Sequence, residues 1–219
     1  MTTTSSSPSP SEPSMSEPSE PSPQPKRMRA DAQRNRARIL AAAEQVFAAA
    51  GPSASTEDLA ELAGVAIGTV FRHFPTKAAL IEAVFVSRLQ EITAYAREMA
   101  AVEDVGAGFF AFFTEAVRQS TVKHAFTDAI DSGDEAMAAV WAAIATAGAD
   151  LRDAVGELLA KAQQTAAVRP DIATPELIGL MIGTARTLEH VGPDTESQQR
   201  VLTVLHDGLK PQPGPALST

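Results

Sequence analysis

Apolar residues recur at three- and four-residue intervals through most of the chain, the period of helices that each bury one face. From Asp31 to Ala50, Ile39, Ala43, Val46, Phe47 and Ala50 share a side, and Gly51 with Pro52 ends the run. Leu59, Leu62 and Ala63 follow on a shorter segment. Thr56 opens it as a good N-cap, with Glu57 and Asp58 in the first turn, and Gly64 closes it, since glycine adopts positive φ without a Cβ penalty. After a tight turn through Val65 and Ala66, another short helix runs from Ile67 until Pro75 disfavours helix at the residue before it. At about 100° per residue, Val70, Phe71 and Phe74 fall on one side of this helix, and Gly68, Thr69, Arg72 and His73 on the other. Helix, glycine turn, helix is helix-turn-helix organisation.

The helical pattern continues as far as Leu209. Leu80, Ile81, Val84, Phe85, Leu89 and Ile92 mark a long helix from about Lys77 to Ala101, which connects the N-terminal segment with the rest. Between Val105 and Ser120, Phe109, Phe113 and Ala116 lie along one side, Phe110 and Val117 lie beside them, and Phe112 is turned away. Met137, Val140, Trp141 and Ile144 form one stripe and Leu151, Val155, Leu158, Leu159 and Ala162 another, with Gly133 and Gly148 as expected breaks. Pro175 opens a helix in which Leu177, Ile178, Leu180, Met181 and Ile182 leave almost no polar face. Gly179 and Gly183 would let a neighbour come close. Val201, Leu202, Leu205 and Leu209 are spaced for one face of a last amphipathic helix.

The polar side of the Ile67 helix offers a hydroxyl, donors and an open glycine, groups suited to base edges and phosphates in a major groove. Lys77, just past the proline, is placed for a phosphate. The run AGVAIGTVFRHFPTKAAL, Ala63 to Leu80, closely resembles the recognition segment of TetR-family transcriptional regulators, and the resemblance extends back to Ile39. Two positions depart from the family's commonest pattern. Ala66 stands where a capping Ser is frequent, which removes about 1 kcal/mol locally. Phe71 stands where Tyr is frequent, which removes a phosphate hydrogen bond and leaves a ring able to meet a thymine methyl.

The resemblance implies an all-α chain: an N-terminal three-helix helix-turn-helix DNA-binding domain, then a C-terminal helical domain for effector binding and dimerisation. It implies a regulator, a ligand-responsive repressor of the family's usual kind, which binds a palindromic operator in double-stranded DNA as a homodimer. Candidate DNA contacts are Arg29, Arg38, Thr56, Ile67, Gly68, Thr69, Phe71, Arg72, His73 and Lys77. Phe109, Phe110, Phe113, Met137 and Trp141 are candidate walls for a small apolar or amphipathic effector. Ile178, Gly179, Met181, Ile182, Gly183, Val201 and Leu205 are the candidate dimer contacts. On the residues alone, a helical enzyme with an incidental helix-turn-helix and an assembly module built on the Pro175 helix remain alternatives.

Composition adjusts this picture at three points. The net charge of −9 is unevenly spread: residues 26–82 carry +2 and residues 83–219 carry −8, so only the expected DNA-binding part is positive. Between Lys26 and Leu40 the excess reaches +5, close enough to the motif for phosphates or a minor groove. Residues 1–25, with seven prolines and nine serines, cannot bury enough apolar surface to order and are expected to form a disordered tail. The expected division is thus 1–25 tail, 26–76 DNA-binding domain, 77–210 effector and dimerisation domain, and 211–219 frayed end. Finally, there is no cysteine, and His73, His124, His190 and His206 lack ligand spacing, so no metal site or cofactor is expected. The histidines are expected on the surface, and no catalytic motif accompanies them. The longest uncharged stretch, Ala136 to Ala149, is too short to span a membrane, and no signal pattern opens the chain, which makes the cytoplasm the expected location.

Overall fold

A computed structural model describes residues 25–50, 54–120 and 135–211. Among them are eight helices and no strand: α1 (Pro25–Ala50), α2 (Thr56–Ala63), α3 (Ile67–His73), α4 (Lys77–Met99), α5 (Val105–Ser120), α6 (Glu135–Gln164), α7 (Thr174–Val191) and α8 (Thr195–Leu209). The tail over residues 1–24, the break at Gly51 and Pro52, Gly133 and His124 lie outside the described residues.

Two apolar cores divide the molecule, and α4 belongs to both. The first, in the head, gathers Ile39, Ala43 and Phe47 of α1, Leu59 and Ala63 of α2, Val70 of α3, Phe74, and Leu80 and Val84 from the first turns of α4. The second, in the body, joins Ile92 and Ala96 of α4 to Phe109, Phe112, Phe113 and Val117 of α5, Val155 and Leu158 of α6, Leu177 and Leu188 of α7, and Leu202 and Leu209 of α8. α4 is thus the helix that physically joins the two cores.

Local chemistry sets the ends of the helices. Gly64 takes φ 61° and ψ 42° after α2, and its N–H bonds back to carbonyls of the last turn. Ser55, not Thr56, caps α2: its backbone is extended, and its hydroxyl accepts from the N–H groups of Glu57 at 3.1 Å and Asp58 at 3.4 Å. The same hydroxyl donates to the Glu57 carboxylate at 2.7 Å and holds that group below its usual range. Thr76 caps α4 through the Ala79 N–H at 3.0 Å. Gly108 lies where α5 crosses the end of α4; a Cβ there would stand 2.7 Å from the Met99 carbonyl oxygen, so only glycine permits this approach.

Three expectations about helices need correction. α1 begins at Pro25 rather than Asp31, using proline at a position where a missing N–H costs nothing. Gly148 does not break α6, which runs unbroken from Glu135 to Gln164. A helical glycine costs only about 1 kcal/mol relative to alanine, less than the burial of Val140 and Ala147 before it and Val155 and Leu158 after it. Phe112 is buried, not turned away, because α5 is covered on more than one side; its ring lies 6.1 Å from that of Tyr95 on α4.

The connection from α6 to α7 is tied to the end of α8. The Arg169 guanidinium donates from Nε to Asp171 Oδ1 at 2.6 Å and from Nη2 to Asp171 Oδ2 at 2.7 Å. These bonds pull the Asp171 carboxyl down to about 2. The Arg169 N–H donates to the Leu209 carbonyl at 2.9 Å, and the Gln163 amide donates to the carbonyls of Arg169 and Ile172. Ala166 is held at φ 54°, the left-handed position that ends α6.

Candidate DNA-binding site

Seven residues make α3 too short to persist alone, so its orientation comes from its anchors. Val70 is 1% exposed and Phe74, just past the helix, 4%. Both sit in the head core beside Phe47, Leu59 and Leu80. Ala66 precedes the helix with extended backbone and no side-chain cap, as the residue type requires. With the anchored side turned inward, Ile67, Gly68, Phe71 and Arg72 face outward, and Thr69 and His73 are half-buried at the margins.

Phe71 is the difference on this helix. Its place beside Val70 in the helical projection predicts packing, yet 48% of it is exposed. Val70 and Phe74 point to the middle of the core and Phe71 falls about 100° from Val70, beyond the edge of the seam that α1, α2 and α4 can cover. Gly68 is open: a Cβ built there meets nothing within 4 Å.

The basic residues around α3 play unequal parts. Arg29 and Arg72 are exposed. Arg34 pairs with Asp31 on the same helix. Arg36 lies over the Phe74 ring, 5.4 Å from its centroid, and so stacks on the residue that anchors α3. Arg38 Nη2 donates to the Gly64 carbonyl at 3.2 Å, fixing the turn between α2 and α3. Lys77 Nζ donates to the Ala54 carbonyl at 3.0 Å, tying the start of α4 to the segment before α2. Thr56 is half-buried in the first turn of α2. Of the sequence candidates, Ile67, Gly68, Thr69, Phe71, Arg72 and His73 thus share one short helix, whereas Arg38 and Lys77 are engaged in holding the motif together. Arg36, which spacing alone did not single out, emerges through its stacking on Phe74.

In the body, Phe109, Phe110 and Phe113 of the effector candidates meet in one core, and Trp141 stands apart from them. Phe109 and Phe113 are fully buried in the core, and Phe110 is half-buried, edge-on to Phe109 at 5.3 Å. Trp141 stands 42% exposed on α6, because the buried side of that helix is defined by Val140 and Ala147. The side chain of Met137 lies outside the described residues. His206, expected on the surface, is instead half-buried against the aromatic set: its ring lies 4.8 Å from Phe110 and 5.9 Å from Phe113, and Nε2 is 3.1 Å from Thr114 Oγ1. Desolvation, with Lys210 nearby, lowers its pKa. Its neighbours Phe110, Phe113 and Thr114 come from α5, with Thr114 92 residues away in the chain, so no local spacing signals the contact.

The dimer candidates also divide. Gly179, Ile182 and Gly183 lie on the outer face of α7, with Ile182 50% exposed. Met181 points the other way, into the core, and Ile178, Val201 and Leu205 are half-buried against it. Leu180, read in the sequence as part of the apolar helix but not as a dimer contact, and Val204, which the sequence did not single out, complete the exposed apolar face, and Val204 is 69% exposed. A groove of about 630 Å³ runs between α7 and α8, with Gly179, Leu180, Val204 and Leu205 among its walls.

The fold is similar to that of known proteins. Residues 39–84 match the model of bacterial regulatory proteins of the tetR family, and residues 104–211 match the C-terminal domain of SbtR-like transcriptional regulators. The HTH-type transcriptional regulator TtgR of Pseudomonas putida is 43% identical over 63 residues, a match covering 28% of this chain and 30% of that protein. Two solved structures are similar over most of their length. The TetR transcription regulatory protein from Mycobacterium vanbaalenii is 36% identical with a TM-score of 0.67, covering 84% of this chain and 99% of the other. The TetR transcriptional regulator SCO0520 from Streptomyces coelicolor is 29% identical with the same TM-score, covering 81% and 99%. The head carries the helix-turn-helix, the body is all helix, and the chain belongs to the TetR family of DNA-binding transcriptional regulators.

Proposed function

We propose that this regulator is a homodimeric, ligand-responsive repressor that docks α3 in the major groove of a palindromic operator. The observation that carries the reading is the split of α3 between two buried anchors, Val70 and Phe74, and an outward side bearing Gly68, Phe71 and Arg72. Arg72 and Thr69 read base edges; His73, Arg29 and Thr56 meet phosphates; Arg38 and Lys77 act mainly by holding the motif. A twofold pair built on the exposed face of α7 and α8 would present two α3 helices to successive major grooves. A small apolar or amphipathic effector, admitted beside the aromatic set of α5, would act through α4, the helix common to both cores. Moving occupancy from nearly full to nearly empty requires it to distinguish the two states by about 5.5 kcal/mol. The head then comprises residues 26–76 with the first turns of α4, and the cytoplasm is the proposed location. No helix among the described residues is long and apolar enough to cross a membrane.

The test is selection of duplexes from a random pool by the full chain, followed by binding titrations at fixed salt. Arg72→Ala should lose about 1–3 kcal/mol of discrimination at the base it contacts. Lys77→Ala should weaken all duplexes alike, through the loosened motif. Failure to enrich any sequence would reject the reading.

A further inference from the structure

We infer that α3 reads the 5-methyl group of thymine, through an apolar strip formed by Ile67 and Phe71; the inference rests on the proposed docking of α3 in the major groove. Ile67 and Phe71 are four residues apart and so stand one above the other on the helix, 39% and 48% exposed. Single exposed apolar residues are ordinary on protein surfaces. Here two large ones are adjacent on a seven-residue helix, beside open Gly68 and bounded by exposed Arg72. The only apolar group that a DNA base presents to the major groove is the thymine methyl. Neither side chain can donate or accept a hydrogen bond, so neither can hold a phosphate, and phenylalanine has no hydroxyl for one. The surrounding charge selects the occupant: α1 contributes a +5 excess between residues 26 and 40, suited to the phosphate ridges on either side of a groove. Gly68 adds no side chain to this surface, so the strip can come flush with the base edges. The recognised feature is therefore a methyl group at a set position, flanked by the donor reading of Arg72.

The experiment uses the full chain and a duplex selected from a random pool, with each thymine replaced singly by deoxyuracil. Removing a methyl that becomes buried should weaken binding about fourfold, the factor equivalent to ~0.8 kcal/mol per buried carbon. One or two positions in each half-site should show it. Where such a position is changed to C·G, 5-methylation of that cytosine should restore about the same factor. In Phe71→Ala and Ile67→Ala, whose folding is checked by circular dichroism, the uracil effect at one of those positions should vanish. A selected duplex that tolerates uracil everywhere would overturn the inference while leaving operator binding intact. Uracil sensitivity that persists unchanged in both variants would overturn its assignment to this strip. Failure to select any duplex would instead reject the docking on which the inference rests.

Discussion

Both halves of the molecule leave large apolar side chains in water, yet their surroundings differ. In the head, Ile67 and Phe71 stand beside Arg72 in a segment of net positive charge. In the body, Ile182 stands between Gly179 and Gly183 on α7, and Val204 shares a groove with Gly179, in a segment carrying −8. An exposed apolar surface alone says only that something covers it. Under the proposed function the charge and size of its neighbours separate the two occupants: arginine and an open glycine on a narrow helix suit a groove between phosphates, whereas small residues on a broad two-helix face suit a second helix pair. The cores differ as well. The head is a shell of short helices around Phe47, Leu59 and Val70; the body is a thick bundle around Phe109, Phe112, Phe113 and Leu158.

The largest effect separating the two should come from the body core. Phe113→Ala removes a ring with no exposure and should cost about 3–5 kcal/mol of stability, seen as an early transition in denaturant melts. If the cores are energetically distinct, the head should retain helix through that transition, by hydrogen exchange at Ile39 to Phe47; simultaneous loss of both would mean that α4 makes them one unit. Next comes the outer face. Ile182→Arg should leave the fold stable to within about 0.5 kcal/mol, because the side chain is half in water, while a charge there opposes pairing. Sedimentation should show a dimer in the parent and a monomer in the variant, and an unchanged dimer would move the interface elsewhere.

What could be read in advance follows the same division. The head was legible because its signals are local: Gly64 ends a helix, Pro75 ends another, and Val70 with Phe74 define an inward side within five residues. Even there, Phe71 shows the limit. A helical projection ranks residues by angle, but how wide a seam is buried depends on neighbours remote in sequence. In the body, that dependence governs nearly everything. Phe112 falls away from the Phe109 side in projection but is covered by Tyr95 of α4, Trp141 shares a stripe with Val140 but is turned outward on α6, and nothing near His206 in sequence signals Phe110. Cap choice was a finer miss: Ser55 and Thr56 are both cap-forming types, Ser the better of the two, and the extended backbone at Ser55 makes it the cap.

Gly68→Ala offers a smaller effect with opposite signs in the two properties measured. A Cβ meets nothing in the free protein, so exchanging glycine for alanine within α3 should raise stability by about 0.5–1 kcal/mol. If the duplex comes close at this point, the same methyl should weaken operator binding. Higher melting temperature with lower affinity supports the reading face; higher stability with unchanged affinity would place the groove away from Gly68.

The smallest effect, from His206, reports on the body alone. Its folded pKa is lowered, chiefly by desolvation and then by Lys210, against the opposing influence of Asp207. The unfolded chain therefore takes up a proton at this site near the ordinary histidine value of about 6.5, where the native state still resists it. Stability at this site is fully present above that value, declines as pH falls between the unfolded and the lowered folded pKa, and declines no further below both. Replacing His206 with Gln removes the titration, so the parent should lose more melting temperature than the variant on going from about pH 7.5 to about pH 5.5. The head lacks this histidine, so hydrogen exchange at Ile39 and Leu59 should not share the difference. Equal losses in parent and variant would mean that the ring keeps enough water to protonate in place beside Thr114, without disturbing α5 and α8.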